Sequence, residues 1–189
     1  DYAFRDCEHL VQVETHDGLR KVGSVAFWGC VSLRRINLKS AVEIDECAFY
    51  GCENLESVEF GDRLETIGND AFRECSLTHL KLPTIITIAA YAFSNCSRLI
   101  DIELSERLEA IEADAFYNCA RLQRIAIPLK RDLLVYDDFF QKYDQFDKCE
   151  QLTTVDLVGG IHKTVASLHV ESWRNELVAE INRINQVLP

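Results

Sequence analysis

Hydrophobic positions along this chain follow two rhythms that take turns. In Leu33, Ile36 and Leu38 the last two flank a single polar residue, the period-two alternation of a short strand with one buried face. The same spacing recurs at Leu55, Val58 and Phe60, then Leu77, Leu80 and Leu82, then Leu99, Ile102 and Leu104. Leu122, Ile125 and Ile127 repeat it, and Leu152, Val155 and Leu157 are the last copy. A second rhythm follows each strand: an aliphatic residue, Ala four positions on and Cys four further, as in Ile44, Ala48 and Cys52. Steps of four predict one helical face, so each unit is expected to join a strand to a helical turn or two. Pro83 and Pro128 directly follow Leu82 and Ile127, where a residue without a backbone donor is expected to end the strand.

The cysteines mark the period of this unit. Cys7, Cys30, Cys52, Cys75, Cys96, Cys119 and Cys149 each stand three residues after a Phe, and successive steps between them are 23, 22, 23, 21, 23 and 30 residues. A strand and a short helix of that length cannot bury an apolar face alone, so successive units are expected to stack and share one core. The implied architecture is an α/β solenoid with a parallel sheet on the concave face and short helical turns on the convex face.

The unit Cys-x-x-Leu-x-x-Ile-x-Leu, a turn, then Ile-x-x-x-Ala-Phe-x-x-Cys resembles leucine-rich repeats of the BspA-like, or Treponema pallidum, type. The resemblance spans residues 2 to 158 in seven copies, the first without its strand and the seventh stretched by an insertion at 137–148. The tail segments Gly159-Gly160-Ile161-His162-Lys163 and Ser172-Trp173-Arg174-Asn175-Glu176 look similar to algal, diatom-type members of that class. Members of the class include cell-surface proteins that bind host or matrix proteins, so the resemblance implies a protein-binding role, with a surface adhesin or antigen as one version.

Composition narrows the remaining options. At 189 residues, 48% hydrophobic and 27% charged, the chain has the balance of a folded domain, and it has no long apolar run for membrane insertion. A formal charge of -11 repels phosphate backbones, which argues against nucleic acid. Eight cysteines would ordinarily suggest disulfides or zinc. Rungs about 5 Å apart with parallel side chains suit neither the convergence that a disulfide needs nor a tetrahedral site, so the ladder reads as buried free thiols, with no metal. Cys47 is off the ladder and is expected to be a partly exposed thiol, available for modification. No Gly-x-Ser-x-Gly, His-Glu-x-x-His, Walker or Gly-x-Gly-x-x-Gly motif occurs, so the chain is not read as an enzyme and no cofactor is expected.

The outward rows of the strands are the main candidate for function, because solenoids present such rows to partners. One row is Gln12, Arg35, Ser57, His79, Asp101, Arg124 and Thr154; the other is Glu14, Asn37, Glu59, Lys81, Glu103, Ala126 and Asp156. Arg35, Asn37, Glu59, His79, Lys81, Asp101, Glu103 and Arg124 are therefore the expected partner-binding residues on the concave face. Phe139, Phe140 and Tyr143 in the insertion form a second candidate, an aromatic docking patch. Residues 159–189 are expected to be a helical cap or linker, with a helical segment over 162–170 and a capping helix from Ser172. The first repeat is expected to be covered either by a neighbouring chain, as in a structural subunit of a larger assembly, or by further residues of a longer chain of which this is a fragment. The triplet Asn95-Cys96-Ser97 is a weak glycosylation signal centred on a ladder cysteine.

Overall fold

The computed structural model describes residues 1–128, 130, 133, 134, 145–158 and 163–166. Strands run in chain order as β1 (Gln12–Val13), β2 (Lys21–Val22), β3 (Arg35–Leu38), β4 (Glu43–Ile44), β5 (Ser57–Phe60), β6 (Thr66–Ile67) and β7 (His79–Leu82). They continue as β8 (Thr87–Ile88), β9 (Asp101–Leu104), β10 (Ala110–Ile111), β11 (Arg124–Pro128), β12 (Thr154–Val158) and β13 (Lys163–Ala166). The Ile-x-Leu segments are the four- and five-residue strands, and each inward aliphatic faces the core as the period-two pattern requires. The two-residue strands form a second, unbroken parallel sheet in the order β10-β8-β6-β4-β2. A solenoid with a sheet on each of two sides results, its core a single cluster running from Val22 to Val155.

The expected helical turns are absent among the described residues, and the α/β class is corrected to a solenoid of parallel strands and turns. The reason lies in the backbone around each Phe. Two positions per repeat adopt positive φ: Val25, Cys47, Asp70, Tyr91 and Asp114 two residues before Phe, and Gly29, Gly51, Glu74, Asn95 and Asn118 two residues after it. A left-handed residue breaks the i→i−4 ladder that a helix needs. Instead the amides alternate. In the second repeat Ala26, Trp28 and Cys30 donate locally to Gly23, Val25 and Phe27, whereas Val25, Phe27 and Gly29 donate to Glu46, Ala48 and Tyr50 of the next repeat. The turn thus becomes a third line of contact between neighbouring repeats.

Two further expectations change. Pro128 is the last residue of β11, in register with Val158, rather than the first beyond it, while Pro83 does follow β7 as expected. Residues 163–166 form β13, an antiparallel strand against β12, and not part of a helix. The expected capping helix from Ser172 lies outside the described residues.

The core is built from stacked identical rows. Phe4, Phe27, Phe49, Phe72, Phe93, Phe116 and Phe146 stack with successive ring centroids 5.0–5.4 Å apart and nearly parallel planes. That spacing is close to the step between paired parallel strands, so each repeat contributes one ring in register. Beside them runs the cysteine row. The thiols of Cys52, Cys75, Cys96, Cys119 and Cys149 donate to the carbonyls of Phe27, Phe49, Phe72, Phe93 and Phe116 at 3.1–3.2 Å. Each of those carbonyls also accepts the amide of the Cys three residues on. Both lone pairs of a buried oxygen are thereby used, which gives the Phe-x-x-Cys spacing a physical purpose.

Candidate functional site

The longer strands lie side by side so that their outward residues form registered rows. Gln12, Arg35 and Ser57 align across β1, β3 and β5, and His79, Asp101, Arg124 and Thr154 align across β7, β9, β11 and β12. Asn37 aligns with Glu59, and Lys81 with Glu103, Ala126 and Asp156. Glu14 lies just beyond β1, where the Gln12 amide donates to it.

Charge on this face is partly self-paired. Lys81 sits 3.1 Å from Glu103, Lys39 2.7 Å from Glu59, and Arg124 bridges Asp101 at 2.8 Å and Asp156 at 2.6 Å. The Asp101 carboxylate, with Asp156 beside it, raises the affinity of the Arg124 guanidinium for its proton. Exposed pairs of this kind contribute about 0–1 kcal/mol each and weaken with salt, so they order side chains without locking them. Arg35 has no ion pair among the described residues.

The face is interrupted once. β1, β3 and β5 form one sheet and β7, β9, β11 and β12 belong to another, with no strand pairing between β5 and β7. The cause is local: Leu77 follows Cys75 by two residues, where the other repeats place Leu three after Cys. In those repeats the Leu amide donates to the Cys carbonyl, as in Leu55 to Cys52 and Leu99 to Cys96 at 2.9–3.0 Å; Leu77 makes no such bond. The next amide is displaced too. Glu56, Ile100 and Gln123 each donate to the preceding repeat, and their counterpart Thr78 does not reach Glu56.

The break opens a cleft of about 690 Å³ lined by Lys39, Val58, Glu59, Phe60, Gly61, Asp62, His79, Leu80, Lys81, Pro83, Asp101 and Glu103. Val58 and Phe60 on its floor are half-buried, while the matching residues Ile36, Leu38, Leu80, Leu82, Ile102 and Leu104 are at most 4% exposed. Phe60 rests edge-on against the Phe72 ring at 5.8 Å. Gly61 closes one end: a Cβ there would collide with the Lys39 carbonyl, so no other residue fits without moving the chain.

The turn side uses its aromatic and cationic groups internally. Trp28 stacks on Tyr50 at 4.3 Å, and Arg73 lies over both Tyr50 and Tyr91 at 5.5 and 5.7 Å. Lys148 covers Tyr117 at 4.9 Å.

The thiols are placed for packing. Cys30, Cys52, Cys75, Cys96, Cys119 and Cys149 are buried and free. Burial pushes the Cys96 thiol up to about 12 and drives Cys52, Cys75 and Cys119 well above the ordinary range. Cys47, off the ladder, is half-buried, and desolvation together with Asp70 and Glu46 raises it to about 11. No group of three or more His, Cys, Asp or Glu able to hold a metal occurs among the described residues.

The structure therefore brings His79, Lys81, Asp101, Glu103 and Glu59 around one cleft, and leaves Arg35 and Asn37 on β3 and Arg124 on β11 to either side. Phe139, Phe140 and Tyr143 lie outside the described residues. Sequence reading missed Lys39, Val58, Phe60 and Asp62 as site residues. The available signal was the short Cys75–Leu77 spacing within the one 21-residue step.

Parallel strands stacked once per repeat around a Leu, Ile, Phe and Cys core define a leucine-rich-repeat solenoid. The BspA type leucine rich repeat region matches in 6 copies over residues 1–84, 39–143 and 66–171, and the chain belongs to that family. It is 31% identical to the T. pallidum leucine rich repeat protein, with a TM-score of 0.64, covering 77% of this chain and 68% of that one. A leucine-rich repeat protein from Bacteroides ovatus is similar at 20% identity and a TM-score of 0.50, over 82% of this chain and 57% of that one. The pneumococcal vaccine antigen PcpA is similar at 18% identity and a TM-score of 0.63, over 78% of this chain and 36% of that one. These last two likenesses are of fold. No functionally curated protein is significantly similar to the chain. Among the described residues no helix is long and apolar enough to cross a membrane.

Proposed function

We propose that the chain is a non-catalytic protein-interaction module that contacts its partner through the face formed by the longer strands. The observation carrying this reading is the registered outward rows on either side of the sheet break: Arg35 aligns with Gln12 and Ser57, His79 with Asp101 and Arg124, and Lys81 with Glu103, above a buried core. Paired strands fix the backbone that carries these groups, so that only side-chain freedom is lost on binding, whereas the turn side has its aromatics engaged in internal contacts. The test is affinity capture with Arg35→Glu and Arg124→Glu combined, the two cations on either side of the cleft, scored on a partner identified with the wild-type chain. Recovery should fall by about tenfold or more, and a turn-side control, Glu46→Lys with Asn69→Lys, should leave it unchanged. Equal recovery by the strand-face variant removes this face from the function.

A further inference from the structure

We propose that the cleft between β5 and β7 docks an extended polypeptide segment of the partner, seating one apolar side chain on Val58 and Phe60 and an adjacent basic side chain against Asp62. The proposal rests on the protein-binding reading above and gives it a location and a chemistry.

Three features of the cleft act together. The first is its floor: β5 alone among the longer strands from β3 to β11 leaves its inward residues half-buried. An incoming aliphatic or aromatic side chain removes that surface from water, which the missing strand contact does not do. The walls are open strand edges. Among the described residues β5 pairs with β3 and β7 with β9, and the ladder that joins other neighbouring repeats is missing between β5 and β7. An extended peptide carries the complementary donors and acceptors along its length, as in strand-edge recognition generally.

Charge selects the kind of peptide. The lining holds two lysines against the carboxylates of Glu59, Asp62, Asp101 and Glu103. Both lysines are committed, Lys39 to Glu59 and Lys81 to Glu103, and Asp101 is held by Arg124. Asp62 is exposed, at the end of the cleft, and has no ion pair among the described residues. A phosphate or an acidic peptide would meet this excess of carboxylate, while Lys or Arg on the ligand would complete it. The cleft is within the size range of sites that enclose small ligands, but its open edges and polar walls favour a chain that continues beyond it.

The test uses the purified chain and a phage-displayed library of random dodecapeptides, with the selected peptide then synthesised, labelled with fluorescein and titrated by anisotropy. Selected sequences should share an apolar residue beside Lys or Arg, and affinity should fall by about tenfold or more on Asp62→Lys. Inserting Gly between Ser76 and Leu77 restores the Cys-x-x-Leu spacing; it should join the two sheets and abolish binding. Asp62→Asn, a milder change at an exposed site, should weaken binding to an intermediate degree, and unchanged melting of both Asp62 variants separates lost contact from lost fold. Selection of acidic peptides, failure to enrich any peptide, or wild-type affinity for both the Asp62→Lys and insertion variants overturns the cleft. If peptides ignore the cleft variants but lose affinity on Arg35→Glu with Arg124→Glu, the strand-face reading stands without the cleft. Indifference to every one of these changes defeats both.

Discussion

Phe93→Ala is expected to lower the unfolding free energy by about 3–5 kcal/mol, the range for truncating a fully buried Phe in a core that cannot collapse around the gap. Phe93 is completely buried, with Phe72 and Phe116 each stacked on it at 5.4 Å. Its carbonyl also anchors the Cys96 amide and the Cys119 thiol. Collapse is restricted because the rings above and below are tied to their own turns by backbone bonds, so the cavity persists. For a chain of this size each kcal/mol moves the melting temperature by about 2–4 °C, so the midpoint should drop by roughly 6–20 °C. Stability in a repeat array is the sum of unit and nearest-neighbour terms, and a defect in the middle weakens two interfaces together. The variant should therefore also unfold less cooperatively, with a smaller denaturant slope. Lys81→Ala, at an exposed position on the strand face, should change stability by no more than about 0.5 kcal/mol. Urea denaturation followed by circular dichroism checks both; equal midpoints for Phe93→Ala and wild type would mean that the Phe stack is not a structural spine.

The second large effect is alkaline instability. Folding raises the proton affinity of buried Cys52, Cys75, Cys96 and Cys119, because a thiolate in the core would lose its hydration. For an acid whose folded pKa lies above its unfolded value, the folded state holds the extra proton. The resulting stability is complete below the unfolded value, near 9.0, and is lost as pH rises toward the folded one. Each such thiol contributes a slope of about 1.4 kcal/mol per pH unit across that window. Four together would remove about 5 kcal/mol in the first unit above it, comparable to the whole stability of an ordinary domain. Unfolding free energy should accordingly fall steeply between about pH 8.5 and pH 10, and, because Cys47 is raised as well, Cys75→Ala with Cys96→Ala should flatten the fall by about a third to two fifths. A wild-type slope no greater than that of the double variant would contradict the account.

What the sequence made legible follows from which features depend on side-chain pattern and which on backbone sign. Ile36 and Leu38 alternate with polar residues, and only a strand buries them together. Ile44, Ala48 and Cys52 are all buried at steps of four, as a helical face would require, yet the backbone between them turns left-handed at Cys47. Burial pattern alone does not distinguish a helix from a turn that returns to the core every fourth residue. Residue type does not help either, since Val25, Cys47 and Tyr91 hold positive φ although their side chains disfavour it. The outward rows were legible because register follows from strand period; Lys81 and Glu103 pair as adjacency implies. The cleft was hidden because deleting one residue before Leu77 leaves the hydrophobic rhythm intact and acts only through the Leu77 and Thr78 amides.

The central claim, one reduced ladder of six buried thiols inside a single repeat core, is tested most directly by counting reactive thiols in the native protein. With Ellman's reagent at about pH 8, Cys7 should react readily. Cys47 should react slowly, since a thiol raised to about 11 is roughly a hundredfold poorer in thiolate than one at the ordinary value of 9.0. The remaining six should appear only when guanidinium unfolds the chain, to a total of eight. Six or more fast-reacting thiols in the native state, or fewer than eight after unfolding without reductant, would contradict the account.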